Sequence, residues 1–398
     1  MSNTQLILDR EGLYSALNII KSLVDYQKKS DAPEHIKFNI EDGEITLESS
    51  CPGVYAIAKM PTEDQSAVNF AVSMNLFQAV LREIDADVVK ITILDGDIRL
   101  FGNESKVTIP KLSPETVEIL PDNSQNSQGA FVCTMDFSEL RNLIFKTKHA
   151  TSAELKGYSD LPELLGVSIS VDKLIEAVGT NRNAASIVRV PLATKDGKKL
   201  KSLIHAGLIE RVAKLSLKGD SKVSIYHSFT QNMLVFSFAS GRLECGMTEM
   251  AGEAPDISVL YFDDFQMIEL DTSKFISSIK TVSLIAKEFH DNHTDMLHIN
   301  PMLHLTNGKM KISLNEGKER YSVYEEFEDV NKNKKEQDVI VHAQVENLVK
   351  LISKVDTSTF FLGLRNQLRG DYLFPILNVS YNTKDNFEHV QYLMGTAE

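Results

Sequence analysis

Apolar residues in this chain form two helical stripes that each recur three times, in the same order, at intervals of about 130 residues. In the first stripe an Asp is followed at +4 and +8 by large apolar residues: Asp9, Leu13, Leu17; Asp136, Leu140, Ile144; Asp271, Phe275, Ile279. In the second, a β-branched residue precedes Ser73, His205 or His342, and the apolar pairs Leu76/Val80, Leu208/Val212 and Val345/Val349 follow. A polar capping side chain before apolar residues at i and i+4 predicts a short amphipathic helix entered from an extended segment. Around these helices run the period-2 segments Ile36-Phe38-Ile40 and Val89-Ile91-Ile93 and the apolar run Leu234 to Phe238, with turns at Asp42-Gly43, Asp95-Gly96 and Asn307-Gly308. These are strand and hairpin signals.

Two independent stripes sharing one period imply three similar domains, each with two helices packed on antiparallel sheets, an α+β fold. The linker Pro121 to Gly129 and the stretch Ala254 to Asp264 set the expected boundaries at residues 1–124, 125–262 and 263–398. The charged segment Glu325 to Asp338 lacks apolar periodicity and is expected to be a mobile loop.

Composition adds exclusions. With 42% hydrophobic and 24% charged residues the chain reads as globular. No signal peptide pattern or membrane-spanning run is found, so a cytoplasmic protein is expected. Cys51, Cys133 and Cys245 are far apart and read as reduced. There is no glycine-rich phosphate loop, nucleophile setting or zinc spacing, so no catalytic residue, cofactor or metal is assigned. The nearest metal candidate, His290, His293 and His298 with Asp291 and Asp295, has no counterpart in the other repeats and reads as a solvated polar turn.

Charge changes the picture most. The net charge is −13, yet the six predicted helices together are positive, so the rest of the chain is more acidic than the total. Glu forms helices as well as Lys does, but is sparse on these helices. Lys214, Lys280, Lys287 and Lys350 also lie off the apolar stripes. Cationic helix faces on an acidic protein point to a polyanion, and nucleic acid is the expected ligand.

Several stretches resemble the bacterial-type DNA polymerase III beta subunits, the sliding clamps: FAVSMNLFQAVLREI and VKITILDGDIRL in the first repeat, Leu164-Leu165-Gly166-Val167 and Ala254-Pro255-Asp256 in the second, and Thr281 to Ala286 in the third. The resemblance implies the DNA clamp fold, closed into a ring as a head-to-tail homodimer that encircles duplex DNA without reading its sequence. It also implies a replicative DNA polymerase and an ATP-dependent clamp loader as partners, and no enzymatic activity. On that frame Lys146, Lys148, Arg211, Lys214, Lys218, Lys280, Lys287 and Lys350 line the hole, with Lys28 and Lys29 near its rim. Leu164, Thr180, Pro255, Val259, Tyr392 and Met394 form a groove for a partner peptide. Leu284 and Ile285 meet Val107 and Ile109 of a second copy.

The family's Thr-Asp-Gly-x-Arg-Leu segment is here Thr180-Asn181-Arg182-Asn183-Ala184-Ala185, and the terminal motif is replaced by Met394-Gly395-Thr396-Ala397-Glu398. Such departures suit a bacteriophage or distant bacterial clamp with a reshaped pocket. Two other classes fit the residues: a non-ring module that sequesters polymerase or repair peptides, and a metal-dependent nucleic-acid enzyme built on the histidine cluster.

Overall fold

The computed structural model describes residues 4–24, 35–63, 65–117, 129–153, 161–181, 184–192, 199–217, 222–238, 241–253, 256–257, 265–292, 302–306, 309–313, 324–328, 339–342, 345–369, 372–382 and 388–394. In the first third, β1 (Thr4–Asp9) feeds α1 (Arg10–Val24). Then come β2 (His35–Glu41), β3 (Glu44–Cys51), β4 (Val54–Pro61), β5 (Val68–Ser73), α2 (Met74–Glu83), β6 (Val88–Ile93), β7 (Asp97–Phe101) and β8 (Lys106–Pro110). The second third repeats this order with β9 (Ala130–Asp136), α3 (Phe137–Lys148), β10 (Gly166–Val171), β11 (Leu174–Thr180), β12 (Ala184–Pro191), β13 (Leu200–His205), α4 (Ala206–Ala213), β14 (Lys222–Ser228), β15 (Met233–Phe238) and β16 (Leu243–Thr248). The last contains β17 (Gln266–Asp271), α5 (Thr272–Asn292), β18 (Met302–Thr306), β19 (Lys309–Ser313), β20 (Tyr324–Glu328), β21 (Val339–His342), α6 (Val345–Ile352), β22 (Thr359–Arg369), β23 (Tyr372–Asn382) and β24 (Glu388–Met394).

At two of the three sites the repeated Asp caps its helix. Asp9 Oδ2 accepts the Gly12 N–H at 2.7 Å, and Asp271 Oδ1 accepts the Lys274 N–H at 2.9 Å. At the third site Glu139 reaches back to the Asp136 N–H at 3.1 Å, so each first helix has a donor of its opening turn satisfied. The second helices are capped by Ser73 Oγ on Leu76 N–H and, unusually, by His205 Nδ1 on Gly207 N–H at 3.1 Å.

The stripe of α2 differs from the expected one. Met74, Phe77 and Leu81 are buried, whereas Leu76 is 43% exposed and Val80 half-buried. Phe77 packs edge-on against Phe38, which stacks on Phe70 at 4.8 Å, and these aromatics fix which face turns inward. The segment expected as a loop from Glu325 instead begins in a strand, because β20 pairs with β19 and sets Glu326 and Glu328 opposite Lys311 and Lys309.

The chain divides into two compact units, Met1–Asn142 with Val171–Lys173 and Leu192–Met250, and Leu143–Ser170 with Leu174–Pro191 and Ala251–Glu398. In the first unit the sheets run β5-β2-β3-β4-β16-β15-β14-β9 and β1-β6-β7-β8. In the second, strands run in the order β10-β11-β12-β24-β23-β22-β17, beside a sheet β20-β19-β18-β21. Each long sheet therefore crosses a boundary between thirds through one antiparallel seam, β4 with β16 in the first unit and β12 with β24 in the second. At the first seam Gly246 permits the approach of the Tyr55 ring, since a Cβ there would lie 2.1 Å from it. The Tyr55 hydroxyl donates to Glu244 Oε1 at 2.7 Å, and burial, with the Glu244 charge next, raises the phenol's pKa. Among the described residues no helix is long and apolar enough to cross a membrane.

Candidate functional site

Basic side chains on the helices serve two different ends. Arg10 donates to the carbonyls of Leu81 (2.8 Å) and Arg82 (3.1 Å) at the end of α2, and Arg141 to those of Ala213 (3.0 Å) and Leu215 (2.8 Å) at the end of α4. Arg211, assigned above to the DNA face, donates from α4 to Ser22 and Leu23, both at 3.3 Å, and so caps α1. The last carbonyls of a helix lack intrahelical partners and carry its negative end, which a guanidinium fork satisfies.

Lys146 lies still further from a DNA-facing position. It is only 7% exposed, its ammonium pairs with Asp356 at 2.8 Å, and it also donates to Tyr381 Oη (3.2 Å) and to Lys354 O (3.4 Å) beyond α6. A buried, paired ammonium presents no charge to a phosphate. Nothing in the spacing of α3 distinguishes Lys146 from a surface lysine, because its partners come from another third of the chain.

Lys214 and Lys280 are exposed, although Lys214 also pairs with Glu210 at 2.9 Å one turn back. Lys148 is half-buried at the end of α3. Lys287 and Lys350 lie on α5 and α6, their side chains beyond what is described, and Lys28, Lys29 and Lys218 fall outside the described residues.

A second feature lies on the far side of α2. Ala79, Val80, Glu83 and Ile84 form, with Ser105 and Val107, an apolar groove of about 270 Å³ beside β8, the last strand of its sheet. Val107 lines the groove, but Ile109, next along the same face of β8, is buried, so only one of the two interface residues expected on β8 is available. The pair on α5 splits likewise. Leu284 is 71% exposed, whereas Ile285 packs against the core of Ile268, Phe275, Leu303 and Leu348.

The residues expected to form a peptide groove lie in the second unit. Leu164 is buried in the single turn Pro162–Leu165, and the Thr180 hydroxyl donates to Ala184 O at 2.9 Å. Tyr392 and Met394 stand on β24 opposite Ala185 and Ile376 respectively, while Pro255 and Val259 fall outside the described residues. Ala185, from the altered segment, joins Ile187, Phe265, Ile376 and Val390 in a small apolar cluster with Val178 and Ile257 against it. Of the histidine cluster, His290 and Asp291 lie on the last turn of α5, and His293, Asp295 and His298 are outside the described residues. No group of three or more potential ligands gathers among the described residues.

No family model matches this chain, and neither does any curated protein. Solved structures do. The DNA polymerase III beta subunit of Pseudomonas aeruginosa superposes with a TM-score of 0.80 at 15% identity, over 99% of this chain and 100% of that one. The Streptococcus pyogenes beta subunit gives 0.79 at 15%, over 99% and 100%, and the Bacillus subtilis sliding clamp 0.79 at 14%, over 99% of each. The chain has the fold of these proteins along its whole length.

Proposed function

We propose that this chain is a DNA sliding clamp without catalytic activity, two copies of which close head to tail around duplex DNA and tether a replicative polymerase. An ATP-dependent loader would open the ring, and the three repeats, at 1–124, 125–262 and 263–398, would be its domains. The clamp fold supports the reading, as do the exposed cations Lys214 and Lys280 on helices of an acidic protein. Attraction to phosphates holds DNA without reading it, and closure rather than affinity provides residence. The cluster around Ala185 would be part of the floor of a groove for a partner's peptide, with Tyr392 and Met394 at its side.

The observation that carries closure comes from the internal repeat. In α4, Leu208 and Val212 are buried, and Arg211 between them reaches the end of α1. The equivalent residues of α2 are Leu76, Val80 and Ala79, and these are exposed or line the open groove beside β8. Thus α2 presents to solvent the face that its counterpart uses to receive a first helix. Leu284, an exposed leucine on the first helix of the third repeat, is of the right kind to fill that groove in a second copy. Burying one leucine is worth about 1.5–3 kcal/mol, and two-fold symmetry makes the contact twice.

Sedimentation velocity at micromolar concentration should give twice the chain mass, and Leu284→Lys should give a folded monomer with unchanged circular dichroism. A wild-type monomer would contradict closure and favour a single-copy binding module, and a variant that stays dimeric would show that two copies meet through some other surface.

A further inference from the structure

The seam between β12 and β24 covers a buried polar cluster that none of the proposed roles uses. His389, fully buried on β24, places Nε2 at 2.8 Å from Ser186 Oγ and Nδ1 at 2.6 Å from Tyr381 Oη. Ser186 has a single proton, donated to Lys146 O at 2.5 Å, so Ser186 must accept from His389, and the imidazole carries its proton on Nε2. Nearby, the Gln391 amide donates to Leu351 O at 3.0 Å and its oxygen receives His149 Nε2 at 2.9 Å.

Tyr381 has one proton and two acceptors. Its hydroxyl reaches Lys354 O, and it also faces Nδ1 of neutral His389, which has no proton of its own to offer. With His389 neutral, the hydroxyl donates to Nδ1 and the Lys146 ammonium alone holds Lys354 O. With His389 protonated, Nδ1–H donates to Tyr381 Oη and the hydroxyl turns to Lys354 O. The added charge then sits in a buried site facing Lys146 and His149 from α3 and Lys354 from the end of α6, with Asp356 the carboxylate nearest Lys146 and Tyr381.

We propose that Ser186, His389, Tyr381 and Lys146 form a proton-operated latch that holds β24 in place while His389 is neutral, and loosens it when protonation sets a second buried cation close to Lys146. Burial, followed by Lys146, His149 and Lys354, depresses the His389 pKa well below 6.5, and burial with Lys354 lowers that of His149 to about 4. A histidine with a depressed folded-state pKa contributes stability that is complete above 6.5 and is lost as pH falls toward the folded value. The seam in the first unit is the internal control. Arg211 spans it, and a guanidinium does not titrate in this range.

Hydrogen exchange by mass spectrometry on the full chain, corrected for intrinsic rates, tests the latch. Opening at β24 should rise more steeply below 6.5 than opening at β4 and β16, and His389→Gln should flatten that rise by about tenfold per pH unit, leaving what His149 contributes. Equal loosening of both seams, or an unchanged rise in the variant, would overturn the proposal. Should His389→Gln fail to fold, ring-nitrogen NMR of the wild-type protein decides. An Nε2–H tautomer that resists titration well below 6.5 supports the latch, and an Nδ1–H tautomer or ordinary titration near 6.5 refutes it.

Discussion

Lys146 and Arg211 resemble Lys280 in sequence, and their environments separate them. Removing one partner of a buried ion pair leaves the other uncompensated, so Lys146→Ala should lower unfolding stability by about 3 kcal/mol in urea titration. Arg211→Ala should cost about 2 kcal/mol through two charge-assisted hydrogen bonds, and should leave the salt dependence of DNA retention unchanged. Lys280→Glu should do the reverse, with stability within about 0.5 kcal/mol and a loss of retention that is larger at low salt than at high salt. If Arg211→Ala changes the salt dependence as Lys280→Glu does, the division between capping and DNA-facing cations is wrong. Such a division was not legible in the chain, because helical register reports which face a residue occupies and not what another third of the chain presents to it. Arg10 and Arg141 are equally silent in the sequence, where an arginine in a first helix, followed by a second helix in the same repeat, is only a weak signal of a cap.

At the level of elements, periodicity located the six α-helices among the described residues and strands such as β2, β6 and β15, and it identified Asp9, Asp136 and Asp271 as the starts of equivalent helices. It failed where two apolar stripes compete on one helix, as on α2, where Phe77 displaces Leu76 from the core. It failed again at β20, whose side chains are mostly charged, since its place is set by backbone pairing with β19 rather than by an apolar face. Capping offers a test at this scale. His205 can accept from Gly207 N–H only when neutral, and its partial burial lowers its pKa below 6.5. Its stabilising effect is therefore complete above 6.5 and declines as pH falls through the lower folded value. His205→Ser, which supplies the cap that Ser73 gives α2, should match the wild type within about 1 kcal/mol at pH 7.5 and exceed it under acid conditions. Urea midpoints at the two pH values check this, and an equal acid loss in the variant would show that the cap does not titrate.

For the molecule as a whole, the internal period and the fold class were readable because three copies of one pattern reinforce each other. The proposed partner groove was less so. Of the residues assigned to it, Tyr392 is set opposite Ala185 by the β12–β24 seam, a pairing between thirds of the chain that local periodicity does not report. The central claim is topological, and DNA attached to a bead at one end tests it without a loader. The protein is threaded over the free end, that end is blocked with a bulky protein, and the bead is washed in about 1 M salt, where charge is screened within about 3 Å. The DNA is then cut with a restriction enzyme. A ring should survive the wash and leave the DNA remaining on the bead on cutting, whereas loss in the wash, or retention there that cutting does not change, would contradict encirclement.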